Sequence, residues 1–321
     1  MPQPKIVALE EHFTSPRLRE LRGEKDTPLQ RKLDDLGALR IREMDEAGID
    51  LQILSENNPA TQNLDPESAV TFARASNDAL HHAVRAHPGD AVIALGGDGT
   101  VHTVLQALDL ARQTLGIVPL GSGNDMYRNL GLPVTIEAAL APLLAGTRQA
   151  WDVGTVGELR FLNSAGAGLD AHTLETRERS RGWIRKNYSA LFLKTLTRIQ
   201  PFPVRITIDG VVREQRGWWF IVANGPWIGG GMHIAPGGSV RDGRFEILCI
   251  GEVSKWTLVQ ALPKVFKGAH LGIPGIELLH GAEVEFATPE APQRIAVDGE
   301  LAMATPVTFR LLPGALQVFG P

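Results

Sequence analysis

Apolar positions along the chain fall into three successive patterns. From residue 5 to about 88, short apolar runs alternate with helical spacing. Lys5–Leu9 reads as a short strand that ends in Glu10, Glu11 and His12. Residues 14–28 are charged and broken by Pro16, Gly23 and Pro28, the pattern of a loop or interrupted helix. Leu33, Leu36, Leu39, Ile41 and Met44 recur at roughly helical spacing, and Gly48 stops that helix. Leu51–Leu54 is a second strand. Asp65-Pro66 then opens a helix as N-cap and first-turn proline, with Ala69, Phe72, Ala73, Leu80, Ala83 and Val84 on its apolar face and Pro88-Gly89 at its end.

The second pattern is strand, glycine loop, helix, strand, glycine loop. Ala91–Leu95 runs into Gly96-Gly97-Asp98-Gly99-Thr100, a helix is predicted over 101–113, and Leu115–Leu120 runs into Gly121-Ser122-Gly123-Asn124-Asp125. That order predicts an open parallel sheet with ligands at the carboxyl ends of its strands. After Trp151 the pattern changes again. Alternating segments at 204–208, 218–222, 245–250, 283–286, 294–297 and 307–311 are separated by glycine, proline and aspartate turns, the signature of antiparallel sheets. Helical stretches over 181–200 and 255–266 interrupt them, and a last strand near 316–319 joins either layer. The expected fold is α/β: a three-layer nucleotide-binding domain with a parallel sheet, then a mainly antiparallel β-sandwich. The expected domains are residues 1–88, 89–150 and 151–321.

Composition narrows the function classes. The 321 residues suffice for two cores. A net charge of −4 gives no global attraction for nucleic acid, so phosphate binding must be local. Cys249 is the only cysteine, which rules out an intramolecular disulfide and suits a reducing compartment. The start MPQPKIVALEEHF lacks the features of a signal peptide, and no apolar run approaches the roughly 20 residues of a membrane span. A cytoplasmic location is therefore expected, and a lipid substrate would be reached from the aqueous side.

The two glycine loops hold the chemistry. Glycines let backbone approach phosphate closely, and the helix that follows offers free N–H groups and the positive end of its dipole. A single such loop also reads as a tight strand-to-helix connection, but here two loops end neighbouring strands. The pair resembles the nucleotide-binding signatures of the diacylglycerol kinase and sphingosine kinase families, and the first also resembles NAD kinases. The resemblance continues in order through Asp152-Val-Gly, Phe161-Leu-Asn-Ser-Ala-Gly-Ala-Gly-Leu-Asp170, Asn224-Gly, Gly229-Gly-Gly-Met-His-Ile-Ala-Pro-Gly-Gly-Ser-Val-Arg-Asp-Gly243 and Val297-Asp-Gly-Glu300.

The resemblance implies an ATP-dependent, Mg²⁺-dependent lipid kinase. Gly96, Gly97, Asp98, Gly99, Thr100, Ser122, Gly123 and Asn124 would line the ATP phosphates. Asp98, Asp125 and Asp152 match the aspartates that hold the catalytic Mg²⁺ network, partly through water, and Glu300 matches the general base for the lipid hydroxyl. Without the other motifs, Glu300 would read as a turn glutamate. Ser239, Asp242 and Arg244 match a loop that binds a second, structural Mg²⁺ in bacterial members, and they equally match a plain Asp-Gly turn. His102-Thr103 departs from the family's Asn-Glu pattern, and the family's opening Asn-Pro-x-Ser-Gly loop is absent.

Residues 5–88 resemble a different family, the metal-dependent decarboxylases of the resorcylate and aminocarboxymuconate-semialdehyde group. The matching segments are Ala8-Leu-Glu-Glu-His-Phe13, Met44-Asp-Glu-Ala-Gly-Ile-Asp50, Leu54-Ser-Glu-Asn-Asn-Pro-Ala-Thr-Gln62 and Ala73-Arg-Ala-Ser-Asn-Asp78. That resemblance implies metal ligation by Glu10 and His12. A barrel of that type needs eight βα units and about 250 residues, and only two units are present, so the pair reads as vestigial. The chain reads as chimeric, through a natural fusion, an engineered join or a sequence-assembly join. Its strands at 6–9 and 51–54 are expected to extend the sheet of Ala91–Leu95. Over 177–198, Arg177, Arg179, Arg181, Arg185, Lys186, Lys194 and Arg198 oppose a single acid, Glu178, among Trp183, Ile184, Tyr188, Leu191 and Phe192. Such a helix either lies on an anionic membrane or packs its apolar side on the sandwich. The three functional readings are a lipid kinase, a kinase-like binding protein that has lost catalysis, and a metal-dependent hydrolase or decarboxylase.

Overall fold

The computed structural model describes residues 7–13, 27–48, 51–56, 68, 71, 78, 91–180 and 188–321, with backbone alone at 7–13, 30, 51–56, 188 and 189. These residues form two compact units. One is Met1–Leu95 with Ala107–Gly116, and the other is Gly96–Gln106 with Ile117–Pro321.

In the first unit, β1 (Val7–Phe13) and β2 (Leu51–Glu56) pair in parallel, from Val7 opposite Leu51 to Phe13 opposite Glu56. Among the described strands they form a two-stranded sheet of their own, each supplying the other's ladder partners. They do not extend the sheet of β3 (Ala91–Gly96), contrary to the sequence expectation. The helical span between them is two helices, α1 (Pro28–Asp34) and α2 (Ala38–Ala47). The break falls where Asp35 Oδ1 accepts the Gly37 N–H at 2.7 Å, a short-range bond that competes with the helical ladder. Gly48 ends α2 in the left-handed conformation (φ 68°), as its position predicted. The helix expected after Asp65-Pro66, and the side chains of Glu10 and His12, lie outside the described residues.

α3 (Asp98–Ala107) connects β3 to its hydrogen-bonded neighbour β4 (Thr114–Pro119). The helix starts three residues earlier and ends six residues earlier than the apolar pattern suggested. Asp109 explains the early end: its Oδ1 accepts the Ala111 N–H at 3.1 Å, and its own N–H donates to Gln113 Oε1 at 2.8 Å, closing a turn.

The second unit continues through α4 (Asp125–Arg128), α5 (Ile136–Ala145), β5 (Arg148–Val156), β6 (Leu159–Phe161), β7 (Ser164–Gly168), α6 (Leu169–Glu178) and α7 (Tyr188–Leu196). Residues 181–187, between α6 and α7, lie outside the described residues. Next come β8 (Phe202–Ile208), β9 (Val211–Ala223), β10 (Trp227–Ile228), β11 (Met232–His233), β12 (Phe245–Gly251), α8 (Lys255–Val265), β13 (Ile276–Gly281), β14 (Glu283–Ala287), β15 (Arg294–Val297), β16 (Glu300–Ala304) and β17 (Val307–Phe319). The neighbour order is β16-β15-β7-β9-β8-β14-β17, with β12 also on β9 and β5 on β17. These pairings are antiparallel.

β9 joins two layers. Its first half pairs with β8, and from Gly217 onward it pairs with β7 and β12. Its second half is buried on both faces, which explains why 217–223 reads as a continuous apolar run. Phe220 and Val222 enter the sandwich core with Phe161, Phe245, Phe286 and Phe309. Trp219, Ile221 and Ala223 point the other way, into a core with Leu169, Phe192, Leu258 and Val265 from α6, α7 and α8. The fold is thus α/β, with parallel pairing towards the N-terminus and an antiparallel β-sandwich after it. Among the described residues no helix is long and apolar enough to cross a membrane.

Phe220 stacks edge-on against Phe202 and Phe286, with centroids 5.4 and 6.5 Å away. Phe220→Ala is expected to destabilise the sandwich by about 3–5 kcal/mol, read from the urea midpoint at unchanged m-value. A loss below about 1 kcal/mol would contradict this core assignment.

Candidate active site

The two glycine loops meet. Leu120 N–H donates to Gly96 O at 3.0 Å, directly where both strands end. A Cβ on Gly97 would lie 2.9 Å from Gly121 Cα, and one on Gly121 would come closer still to Gly97 Cα, so neither position accepts a side chain. Asn124 closes the second loop on itself. Its Oδ1 accepts the Gly121 N–H at 2.9 Å, and its Nδ2 donates to Gly121 O at 2.7 Å. It does so from a left-handed backbone (φ 55°), which asparagine tolerates better than most residues. Gly99, Thr100 and Ser122 remain exposed beside this junction. The result is a surface of open backbone at the N-terminus of α3, which suits an anion.

Asp98 and Asp125 lie within this junction. Asp98 Oδ1 accepts the Met126 N–H at 2.9 Å, which ties the first loop to α4. Its Oδ2 faces Gly123, where a Cβ would lie 2.7 Å away. Asp125 is buried, and both its oxygens accept amides from the glycine run, Gly230 at 2.6 Å and Gly231 at 2.7 Å. Burial raises its carboxyl above the usual range, and the charge of Asp98 adds to that, while the two amides and Arg128 oppose it.

Asp152 occupies different surroundings. It too is buried, with Oδ2 accepting the Gly243 N–H at 2.8 Å and Oδ1 the Gly314 N–H at 2.7 Å. Its own N–H donates to Val240 O at 2.6 Å. It therefore fastens the 239–244 loop and the bend of β17. In that loop Arg241 N–H donates to Ser239 Oγ at 3.2 Å. Arg244 engages Asp242 twice, N–H to Oδ1 at 3.3 Å and Nε to Oδ2 at 3.4 Å. The Arg244 guanidinium lies between Asp242 and Glu246, 3.6 Å from a Glu246 oxygen, so this segment has the contacts of an Asp-Gly turn.

Glu300 opens β16 after a two-residue hairpin, Asp298-Gly299, in which both residues have positive φ (46° and 88°). That is the geometry for which Asp-Gly is suited. Glu300 is exposed, whereas the Asp298 side chain is fully buried. Asp298 Oδ2 accepts the Leu162 N–H, and Oδ1 accepts those of Asn163 and Ser164, all at 3.0 Å. His102 Nδ1, from the second turn of α3, lies 3.2 Å from Asp298 Oδ2. Helix α3 and the Glu300 hairpin are therefore joined through one carboxylate. Burial opposes protonation of His102. The hydrogen bond and charge of Asp298, with the charge of Glu300, outweigh it and raise the pKa above the ordinary histidine value.

Known proteins with this combination decide the family. The model of the diacylglycerol kinase catalytic domain matches residues 43–156, and that of the YegS C-terminal NAD kinase beta sandwich-like domain matches 163–320. A diacylglycerol kinase of Mycobacterium tuberculosis is 32% identical over 259 residues, covering 77% of this chain and 82% of that protein. The chain belongs to the diacylglycerol kinase-like lipid kinase family. The diacylglycerol kinase of Bacillus subtilis is 28% identical over 262 residues, covering 79% of this chain and 86% of its own. A crystal structure of a diacylglycerol kinase from Bacillus anthracis shares the fold across 100% of this chain and 98% of its own, with a TM-score of 0.61 at 21% identity. The catalytic-domain match starts inside the segment that resembles decarboxylases. Family membership implies ATP as the phosphoryl donor.

The donor set fits Mg²⁺ at one place. Asp98 Oδ2 accepts no hydrogen bond among the described residues and faces the loop junction. A carboxylate of that kind, with phosphate and water oxygens, is what Mg²⁺ takes. Asp125 and Asp152 have both oxygens on backbone amides, and no three carboxylates, histidines or cysteines among the described residues gather into a metal-holding cluster. Within Val297-Asp-Gly-Glu300 the sequence marks Glu300 and not Asp298. Its Asp-Gly hairpin signal pointed to a turn, and nothing local marks an aspartate that caps a distant strand.

The His102–Asp298 pair makes a pH prediction. Because the folded pKa of His102 is raised, the pair's stabilisation is full below the unfolded histidine value of about 6.5 and is lost as pH rises through the folded value. The difference in unfolding free energy between wild type and His102→Asn should be largest near pH 6 and shrink above neutrality. A difference that grows with pH would contradict the raised pKa.

Proposed function

We propose that this chain transfers the γ-phosphoryl group of ATP to the hydroxyl of a diacylglycerol-like or sphingoid lipid, in a Mg²⁺-dependent reaction. The observation that supports this most is the Gly97–Gly121 junction, with Asp98 facing into it and the Glu300 hairpin tied to the same helix through Asp298 and His102. Phosphoryl transfer asks a protein mainly for positioning and charge stabilisation, with donor and acceptor held in one place.

In this reading the backbone of Gly96, Gly97, Asp98, Gly99 and Thr100, with Ser122, Gly123 and Asn124, receives the phosphates. Asp98 would hold Mg²⁺, which when bound neutralises charge on the phosphate oxygens. Asp125 and Asp152 act in that network one step removed, by fixing the 229–231 and 239–244 loops. Glu300 accepts the proton of the lipid hydroxyl. Its exposure suits a base that meets its substrate at an open surface. The burial and amide bonds of Asp298 fix the turn that aims it. Peripheral contact with a membrane belongs to the same proposal, since the acceptor resides there. The described part of the basic segment contributes Arg177, Arg179, Lys194 and Arg198, and Lys194 Nζ already donates to Ser180 Oγ at 2.9 Å. The decarboxylase-like start at 5–88 is proposed as a graft with no metal chemistry of its own.

A second reading, a kinase-like binder that has lost catalysis, is favoured by His102 standing where the family has asparagine and contacting Asp298. Both readings are tested on one sample, by ATP binding and by transfer of labelled phosphate to diacylglycerol or sphingosine in mixed micelles with Mg²⁺. The kinase reading expects transfer. Asp98→Asn should abolish it with the unfolding midpoint retained, and Glu300→Gln should lower it roughly 10²–10⁴-fold. Binding of ATP without transfer would select the second reading, and wild-type rates in both variants would remove these residues from the site.

A further inference from the structure

Helix α8 presents a surface that the phosphate chemistry does not use. Leu258, Ala261 and Val265 are buried, which fixes the orientation of the helix. Trp256, Gln260, Pro263, Lys264 and Lys267 then fall on the outward stripe, at the spacing of one helical face. Trp256 is 67% exposed, and Phe266, just past the helix, is 46% exposed. Large aromatics are seldom left this open in water. The helix start does not depend on Trp256, because Ser254 caps it, with its Oγ accepting the Thr257 N–H at 3.0 Å.

Charge gives the face its chemistry. Residues 253–276 include Lys255, Lys264 and Lys267 and no aspartate or glutamate. Lys255 is used within the fold, with Nζ 5.5 Å from the centre of the Trp218 ring. Lys264 and Lys267 are exposed and make no ion pair among the described residues. The preceding acid, Glu252, has its carboxylate 3.7 Å from Arg216 Nε. The outward face thus combines two aromatic side chains with unopposed positive charge. Tryptophan and phenylalanine favour the boundary between headgroups and acyl chains, and lysine favours anionic headgroups.

The face also connects to the candidate active site. The segment after Phe266 packs on β11 and the turn that follows it: a Cβ on Gly268 would lie 2.8 Å from Pro236 Cγ and 3.0 Å from His233 Nδ1. His270 Nε2 lies 3.0 Å from Ile234 O, and His233 stacks on Trp227 at 4.2 Å. The turn between β10 and β11, which pair with each other, supplies the Gly230 and Gly231 amides that hold Asp125.

We propose that the outward face of α8, with Trp256, Lys264, Phe266 and Lys267, is the surface by which this protein docks on an anionic lipid bilayer. This deepens the lipid-kinase reading and rests on it for its purpose, but its test needs neither ATP nor turnover. The full chain is mixed with phosphatidylcholine vesicles and with one-to-one phosphatidylcholine–phosphatidylglycerol vesicles, and binding is read by co-sedimentation. The wild type should bind the anionic vesicles in preference. Trp256→Ser with Phe266→Ser should weaken binding at least about tenfold. Lys264→Gln and Lys267→Gln should each weaken it about fivefold, which is about 1 kcal/mol per lysine converted to affinity. Both sites are exposed, so urea midpoints should not move. The blue shift of tryptophan fluorescence on vesicle binding should shrink in Trp256→Phe. Absence of wild-type binding, or undiminished binding by the aromatic double variant, would overturn the proposal. So would a vesicle-free dimer, detected by sedimentation equilibrium, that the aromatic double variant abolishes, because the face would then be covered by a second copy. Binding that is retained alongside a failed kinase assay would leave the docking surface standing and remove only the catalytic reading.

Discussion

The contact between the backbones of Gly97 and Gly121 is the constraint on which the site depends. Two strands end side by side, and their loops turn at the same height because neither has a side chain at the point of contact. That approach places the N-terminus of α3, the self-closed Asn124 loop and the carboxylate of Asp98 within one small region. A methyl group at either glycine would push the loops apart by more than a hydrogen-bonded junction can absorb. The open backbone at this junction is first a matter of steric permission and only then of charge.

Buried aspartates provide the second organising device. Asp125, Asp152 and Asp298 come from different segments, and each spends its carboxylate on backbone amides of a remote loop. A buried carboxylate without partners would be strongly unfavourable, whereas one that accepts two or three N–H groups is among the stronger local restraints available. The loops that Asp125 and Asp152 grip contain Gly230, Gly231, Gly243 and Gly314, all with positive φ, so their backbones can turn N–H groups inward where ordinary residues would be strained. Asp98 differs because one oxygen stays unshared. The contrast divides the family's aspartates physically, into one that faces the junction and others that hold the walls.

The sequence made the broad architecture legible because its signals were local. Glycine loops after apolar runs marked β3 and β4, and alternation with turns marked the sandwich strands. Three features were misjudged or invisible for definable reasons. The end of α3 was placed too late because Leu108 and Leu110 continue an apolar spacing that the Asp109 turn interrupts. The first two strands were expected to join the sheet of β3, since parallel strands favour a common sheet, yet β1 and β2 pair with each other. The roles of His102 and Asp298 could not be read because the two residues are 196 positions apart and only the fold brings them together. His102 registered as a departure from a pattern, without the partner that gives the departure a meaning.

Steric permission at the glycine contact underlies the proposed phosphate site, and Gly121→Ala tests it most directly. Calorimetric titration of ATP with Mg²⁺ into wild type and variant would be paired with urea unfolding to confirm that the sandwich core persists. The account predicts that the wild type binds nucleotide and that the variant, still folded, loses binding by at least about a hundredfold, roughly 2.7 kcal/mol. A folded Gly121→Ala protein that binds ATP like the wild type would contradict it.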